Sequence, residues 1–532
     1  MRKVIIIDFG SQYTLLIARE LRRIHVYCEV QILNSILLDQ LKHYTHYIDA
    51  LILSGGPHSV SQYSPLITEF MQFLQENAKL KWVDGKRKKQ KAIPILGICF
   101  GAQLLAKTFG AQVVTSNNNR EYGESWLKIT SKNHIFSDLP DITKVWMSHN
   151  DSILVTKDLN KIKVLARPRI DRDEVAVFQI IDHGIHVPMF GFQFHPEVSH
   201  TSNGPLWLRN FCLLSDVEFS WYPDAFIQQT ISNIRHQTKL KHNVLVACSG
   251  GVDSTVMAVL LNLALGDRCQ CVFLNNGLLR AGEFEEIYDI YKHLGLNIQG
   301  VDCATHFFQE LVGVIDPEQK RKVIGRVFIE EFIKFINSDP KNFHFLAQGT
   351  IYPDVVESHG KIKSHHNVGG LPQKLHLELI EPLRSLFKDE VRQIGKQLGI
   401  PPIILDRHPF PGPGLGIRIL GEVNLERVKI LQEADRIYIE MLKQNDYYQQ
   451  IWQAGAVLLD CKSVGVMGDK RTYESVVGLR AVCSVNGMTA DVFEFPVSFL
   501  GQVATRIVNE VVGVNRVVYD VTSKPPGTIE WE

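Results

Sequence analysis

The chain has 532 residues, and at about 150 residues per domain it exceeds what one hydrophobic core serves, so three or four units are expected. Lys plus Arg number 57 and Asp plus Glu 57, a balance that excludes a global field recruiting nucleic acid or an anionic membrane. Nine cysteines, an odd count without a CxxC pair, exclude a disulfide framework and zinc-ribbon spacing and point to a reducing compartment, the cytoplasm.

At the N-terminus, Met1-Arg2-Lys3 leads into four apolar residues before Asp8, too short for a signal peptide. Short apolar runs at residues 3–7, 50–53, 93–98, 190–194, 244–248 and 271–274 alternate with helical stretches, the pattern of parallel strands covered on both faces. The most apolar later stretch, 244–266, is broken by Ser249, Gly250, Gly251 and Asp253, so no membrane span is expected. After Cys212 the pattern lapses, and Pro223 reads as a helix start, which places a first boundary at 214/215. Alternating prolines in Arg407-His408-Pro409-Phe410-Pro411-Gly412-Pro413-Gly414 can neither donate to a sheet ladder nor continue a helix, and mark a second at 407/408. Beyond it, Ile430, Ala434, Ile437 and Met441 recur at helical spacing, while Val517, Tyr519 and Val521 alternate as on a half-covered strand. The expected fold class is α/β: two doubly wound, mainly parallel-sheet domains (1–214 and 215–407), then a smaller α+β dimerisation domain (408–532).

Gly97-Ile98-Cys99-Phe100-Gly101 follows an apolar strand and opens a helix, the setting of a nucleophile elbow with cysteine in place of serine. The flanking glycines are expected to permit the tight turn. A helix N-terminus and a nearby histidine both favour a thiolate. His195-Pro196-Glu197 ends another strand; in an extended segment both side chains face one way, so Glu197 can orient the imidazole. Ser54-Gly55-Gly56-Pro57 ends a third, and the N–H groups of Gly55 and Gly56, with that of Phe100, are candidates for stabilising an oxyanion. Each residue alone is commonly structural; all of them at strand ends argue for catalysis. The strings GICFG, FHPEV and SGGP resemble class I glutamine amidotransferases over residues 1 to about 212.

Ser249-Gly250-Gly251-Val252-Asp253-Ser254 lies between an apolar strand and a helix that begins near Thr255, where loop and helix amides make an anion site. It is not a Walker A loop, since no GxxxxGK[ST] occurs. It resembles the loop of enzymes that split ATP between its α and β phosphates. On that reading Ser249 and Ser254 bond the departing pyrophosphate and Asp253 holds Mg²⁺.

The order amidase, pyrophosphatase loop and a C-terminal segment ending Lys524-Pro525-Pro526-Gly527-Thr528-Ile529-Glu530-Trp531-Glu532 resembles the glutamine-hydrolysing GMP synthetase family essentially end to end. Further similar strings are residues 349–358, 363–372, 407–416 and 463–469. The resemblance implies amination of xanthosine monophosphate (XMP) at purine C2, with glutamine, ATP and Mg²⁺, yielding GMP, AMP and pyrophosphate, and a homodimer through the C-terminal domain. It further implies that Lys388 contacts pyrophosphate and that Arg321, Arg480, Lys524, Ile529 and Glu530 surround XMP. The chain departs from the family at Asn275, where Asp is common, at Phe100, where Tyr is common, and in a longer stretch at residues 84–91. The basic run at 86–89 reads as a solvated loop, and His365-His366 as part of a lid rather than a metal site. Two other readings remain at this point: another ATP pyrophosphatase, such as an NAD or asparagine synthetase or a tRNA-modifying thiolase, and a non-catalytic nucleotide-sensing scaffold.

Overall fold

The computed structural model describes every residue except 1, 44–46, 61–63, 81–91, 116–119, 157–158, 169–173, 182–186, 240–241, 339–341, 359–376, 485–486 and 488. The basic run at 86–89 and the pair His365 and His366 lie outside the described residues. The chain divides into two compact units, Met1–Tyr222 and Pro223–Glu532.

The first unit contains β1 (Lys3–Asp8), β2 (Cys28–Ile32), β3 (Ile48–Leu53), β4 (Ile95–Ile98), β5 (Gln112–Thr115), β6 (Glu121–Ile129), β7 (Ile142–His149), β8 (Asp151–Leu154), β9 (Ile162–Pro168), β10 (Val177–Ile180) and β11 (Met189–Phe192). Nine of them form one sheet in the order β2-β1-β3-β4-β11-β10-β9-β6-β7, with β5 and β8 paired separately. From β2 to β11 every pairing is parallel, and the apolar runs of β1, β3 and β4 are buried on both faces as the sequence suggests. From β11 to β7 the pairings are antiparallel, which the apolar runs do not signal. The reason is visible in β6 and β7, where exposed and covered positions alternate because only one face meets the core.

Residues 215–222 pack with this first unit. The Arg22 guanidinium lies 4.4 Å from the Tyr27 ring centroid and 4.1 Å from that of Trp221, and the Trp221 N–H donates to the His25 carbonyl at 2.9 Å. Helix Pro223–Thr238 then opens the second unit, with proline in its first turn as expected.

The second unit carries β12 (Asn243–Cys248), β13 (Cys269–Asn275), β14 (Ile298–Asp302), β15 (Phe343–Ala347) and β16 (Glu378–Ile380), all parallel, in the order β14-β13-β12-β15-β16. The chain runs outward from β12 through β13 to β14 and returns on the other side at β15. The crevice beyond the ends of β12 and β15 is therefore a topological switch point, where open parallel sheets bind ligands.

A further sheet follows: the long hairpin β17 (Gln453–Met467) and β18 (Lys470–Cys483), the short β19 (Asp491–Val492), and β20 (Val514–Tyr519), which pairs parallel with β18. Helices Leu425–Gln444 and Val497–Glu510 cover it, burying Ala434, Ile437 and Met441 at the expected spacing. The expected strand stops at Tyr519; Val521 lies beyond it and is exposed. One apolar core, from Leu245 and Val272 through Leu415 and Ile437 to Val514, runs across the proline-rich Arg407–Gly414 stretch.

Candidate active sites

In the first unit, Cys99 stands between β4 and helix Phe100–Thr108 with φ 52° and ψ −108°. The left-handed strain of the elbow thus falls on the nucleophile itself, not on its flanking glycines. Those glycines serve close approach instead: a Cβ on Gly97 would lie 2.5 Å from the Gly101 carbonyl oxygen, and one on Gly101 only 2.2 Å from that of Leu53. The turn is fixed by Cys99 N–H to the Phe192 carbonyl (2.7 Å) and Gly101 N–H to that of Ser54 (3.0 Å). Cys99 Sγ lies 3.6 Å from the Ser148 carbonyl oxygen.

His195 and Glu197 fall in a turn, because β11 ends at Phe192. The expected extended geometry gives way to anchoring from neighbours. His195 N–H donates to the Trp146 carbonyl (3.0 Å), the Thr201 hydroxyl donates to the His195 carbonyl (2.6 Å), and Gly204 presses so closely on Pro196 that a Cβ there would meet its carbonyl at 2.0 Å. The predicted partnership forms nonetheless: His195 Nδ1 is 2.6 Å from Glu197 Oε1, with both residues buried. Burial opposes charge on the imidazole, but the Glu197 carboxylate and the Cys99 sulfur outweigh it and hold His195 well above the usual histidine range. A buried cysteine–histidine pair oriented by a carboxylate can attack an amide carbon through sulfur and protonate the nitrogen that leaves through the ring.

Gly55 and Gly56 flank this pair. A Cβ on Gly55 would be 3.2 Å from His195 Cε1, and one on Gly56 3.5 Å from the Phe100 ring. The Tyr13 ring meets His195 edge-on at 5.0 Å. A second histidine, His149, is buried near them with Nε2 3.7 Å from Glu121 Oε2, and burial together with the charge of His195 pulls it down to about 4. Nothing in the local sequence pattern marked it.

In the second unit, Ser249–Ser254 occupies the switch point after β12. Gly250 has φ +75°, which favours glycine, and Gly251 caps helix Val252–Leu265. Ser254 Oγ accepts the Ser249 N–H (3.2 Å), lies 3.0 Å from Ser249 Oγ and donates to the Gly251 carbonyl; Thr255 Oγ1 donates to the same carbonyl at 2.8 Å. Beyond β15, Gly349 lies against the loop, its would-be Cβ 3.4 Å from Ser254 N. Lys388 opens helix Lys388–Gln397 and reaches Asp253 Oδ2 at 2.6 Å, while Asp253 Oδ1 is buried without a hydrogen-bond partner. One carboxylate oxygen without a hydrogen bond beside a glycine-rich loop at a helix N-terminus suits Mg²⁺, which takes one or two carboxylates and completes its shell with phosphates and water. Asn275 uses Oδ1 to accept the Gly277 N–H (3.1 Å) in the turn after β13.

Three of the five residues assigned to XMP converge. Arg480 Nε and Nη2 donate to the carbonyls of Ile529 (2.9 Å) and Thr528 (3.0 Å), and Nη1 pairs with Asp520 at 2.6 Å. Glu530 is held bidentately by Arg418 at 2.9 and 2.7 Å and accepts from Gln453 Nε2 at 2.9 Å. Burial raises the Glu530 carboxyl, yet Arg418 prevails and depresses it below the usual carboxylate range. Arg418, Gln453, Arg480, Ile529 and Glu530 line one cavity. Arg418 Nη1 is buried there without a hydrogen-bond partner, 3.9 Å from Asp435 Oδ1, and Gly455 faces it, a Cβ at that position falling 2.1 Å from the same nitrogen. The other two residues sit apart: Arg321 donates to the Glu532 carbonyl, beside the buried Lys320–Glu532 pair, and Lys524 Nζ donates to the Gly487 carbonyl at 2.8 Å. Sequence reasoning missed Arg418 and Gln453. Arg418 lies two residues beyond the 407–416 string, whereas nothing near Gln453 signals a site.

The family model for class I glutamine amidotransferase matches residues 5–214, and that for the GMP synthase C-terminal domain matches residues 440–531. The chain is similar to the glutamine-hydrolysing GMP synthase of Cytophaga hutchinsonii, 47% identical over 100% of this chain and 99% of that protein. Those of Chlorobium chlorochromatii (46%) and Porphyromonas gingivalis (47%) each match over 100% of both chains. With a cysteine elbow in one unit, a glycine-rich strand-to-helix loop in the other and identity of this level along its whole length, the chain belongs to the glutamine-hydrolysing GMP synthase family.

Proposed function

We propose that this chain makes GMP from XMP by joining two chemistries. In the first, the Cys99 thiolate attacks the side-chain amide of glutamine, and His195 protonates the departing nitrogen, leaving a γ-glutamyl thioester. His195 then takes a proton from water, whose attack releases glutamate and frees the thiol. Glu197 holds the imidazolium, and the amides of Gly55, Gly56 and Phe100 stabilise the tetrahedral oxyanion. The observation carrying this half is the buried 2.6 Å His195–Glu197 contact beside a strained Cys99.

In the second chemistry, the purine oxygen at C2 of XMP attacks the α-phosphorus of ATP and pyrophosphate leaves; ammonia then displaces AMP, giving GMP. The loop Ser249, Gly250, Gly251, Val252, Asp253, Ser254 and Thr255, with Lys388, binds the ATP phosphates, and Asp253 is the carboxylate that would hold Mg²⁺, whose charge would draw off electrons from the phosphates. XMP binds beside Arg480, Ile529 and Glu530, with Arg321 and Lys524 contributing from nearby segments. Arg418 lines that cavity with one guanidinium nitrogen that makes no hydrogen bond, which supports this placement.

On this reading residues 1–214 are the amidase, 215–407 the adenylating part and 408–532 the XMP-binding and dimerisation part. Exposed Val464, Val466 and Tyr473 on the long hairpin, with Val464 and Tyr473 directly paired, support a homodimer interface there. Nine free cysteines support a reducing, cytoplasmic setting, and no helix among the described residues is long and apolar enough to cross a membrane. The test is Cys99→Ala: glutamine-dependent GMP formation is abolished while ammonium-dependent formation persists. Intact glutamine-driven synthesis in this variant contradicts the nucleophile assignment.

A further inference from the structure

The helix Glu283–His293 stands behind the phosphate loop and contributes a fully buried tyrosine, Tyr291, that neither the family strings nor the loop chemistry uses. Its hydroxyl lies 3.2 Å from the Gly250 amide nitrogen and 3.0 Å from Thr255 Oγ1. The proton directions follow from valence. Thr255 has one hydroxyl proton, and the Gly251 carbonyl, 2.8 Å away, receives it. Tyr291 must therefore donate to Thr255 Oγ1 and accept the Gly250 N–H. Burial holds the phenol above its ordinary range, so it remains a donor throughout the working pH interval.

The other side of Gly250 is also held. Arg407 Nη1 donates to the Gly250 carbonyl at 3.2 Å, and Arg407 Nη2 is paired with Glu283 at the start of the same helix. The two peptide planes that meet at Gly250 are thus gripped, one through its N–H by a phenol of this helix and the next through its C=O by a guanidinium that the helix's Glu283 holds. Within a trans peptide the C=O and N–H point in opposite directions. Drawing the Gly250 carbonyl towards Arg407 therefore turns the Gly251 N–H away from it, towards Ser249 Oγ at 3.4 Å, inside the loop. A flipped peptide would instead present a carbonyl oxygen to the phosphates.

We propose that Tyr291 and Arg407, the latter braced by Glu283, are positioning residues that lock Gly250 in its left-handed conformation and keep the Gly251 N–H, rather than the Gly250 carbonyl, turned into the loop that receives the ATP phosphates. This rests on the nucleotide reading of the loop. Neither residue is placed against substrate; both act through the backbone between them.

The experiment is steady-state kinetics of ammonium-dependent synthesis by full-length Tyr291→Phe, with glutamine hydrolysis followed in parallel. Losing a hydrogen-bond partner of this kind corresponds to about a tenfold change in an equilibrium constant. We expect KM for ATP to rise about tenfold, with KM for XMP and glutamine hydrolysis within twofold of the wild type. Arg407→Lys keeps the charge but loses the two-pronged grip, and is expected to raise KM for ATP in the same way. Because Tyr291 and Thr255 lie in one chain of hydrogen bonds, the Tyr291→Phe/Thr255→Val double variant is expected to do no worse than the worse single one. Equal losses in every parameter, or additive losses in the double variant, would mark a merely structural role and overturn the inference. So would an unchanged KM for ATP in both single variants. Wild-type protein releasing no pyrophosphate from ATP overturns the nucleotide reading first, and the inference with it.

Discussion

Replacing Glu197 by glutamine separates charge from shape at the amidase centre. Glutamine can still accept the His195 Nδ1–H through its amide oxygen, so the ring keeps its orientation while the buried negative charge disappears. The two groups are 2.6 Å apart at their nearest atoms and both are buried. With charge centres about 4 Å apart and an effective dielectric of 20, their attraction is about 4 kcal/mol, or about three powers of ten in the population of imidazolium. His195 is raised in the folded protein, so the imidazolium persists up to that raised value and is lost as pH climbs through it. Without Glu197 the loss occurs at lower pH. Glutamate release measured across pH should show the alkaline limb shifted downward and neutral-pH turnover reduced by about 10²- to 10⁴-fold. Ammonium-dependent GMP synthesis should stay near wild type. Glutamine hydrolysis within twofold of wild type at neutral pH, with an unmoved alkaline limb, would refute the role given to the carboxylate.

Gly101→Ala drives a methyl to 2.2 Å from the Leu53 carbonyl oxygen, a backbone atom that cannot swing aside, and should lower the unfolding free energy by about 3 kcal/mol; an unchanged urea midpoint would contradict the close-approach account of the elbow. His149 behaves oppositely to His195: burial and the neighbouring imidazolium depress it to about 4, so its stabilising neutral form is present above about 6.5 and becomes costly as pH falls towards 4. The wild type should lose about 2 kcal/mol between pH 7 and 5 from this group alone, and His149→Gln should remove that part of the acid sensitivity. Denaturant titrations at the two pH values check it, equal acid losses in both proteins being the contrary result.

The two reaction centres were legible because each is carried by a short contiguous string. GICFG joins a strand end to a helix, HPE follows in the turn after β11, and SGGVDS sits where a parallel strand gives way to a helix. Burial on both faces made β1, β3, β4 and β12 readable as apolar runs. The antiparallel half of the first sheet was harder, since Glu121–Ile129 and Ile142–His149 cover one face only and carry weaker patterns. The unit boundary at Tyr222 depends on Arg22 packing against the Tyr27 and Trp221 rings, a contact between residues far apart in the sequence. Likewise the Arg418–Glu530–Gln453 cluster joins the turn after Ile417, the start of β17 and the C-terminal segment. The glycines of the elbow were found, but their reason was not: packing against Leu53 and Ala102 demands them, while Cys99 bears the strained dihedral.

The central claim is that nitrogen freed at Cys99 becomes the 2-amino group of the product. Full-length protein supplied with amide-¹⁵N glutamine, XMP, ATP and Mg²⁺ in unlabelled ammonium-free buffer tests it directly by mass spectrometry of the nucleotide formed. The account predicts GMP heavier by one mass unit, matched by release of AMP and pyrophosphate, whereas unlabelled GMP, or labelled ammonia accumulating without any GMP, would contradict it.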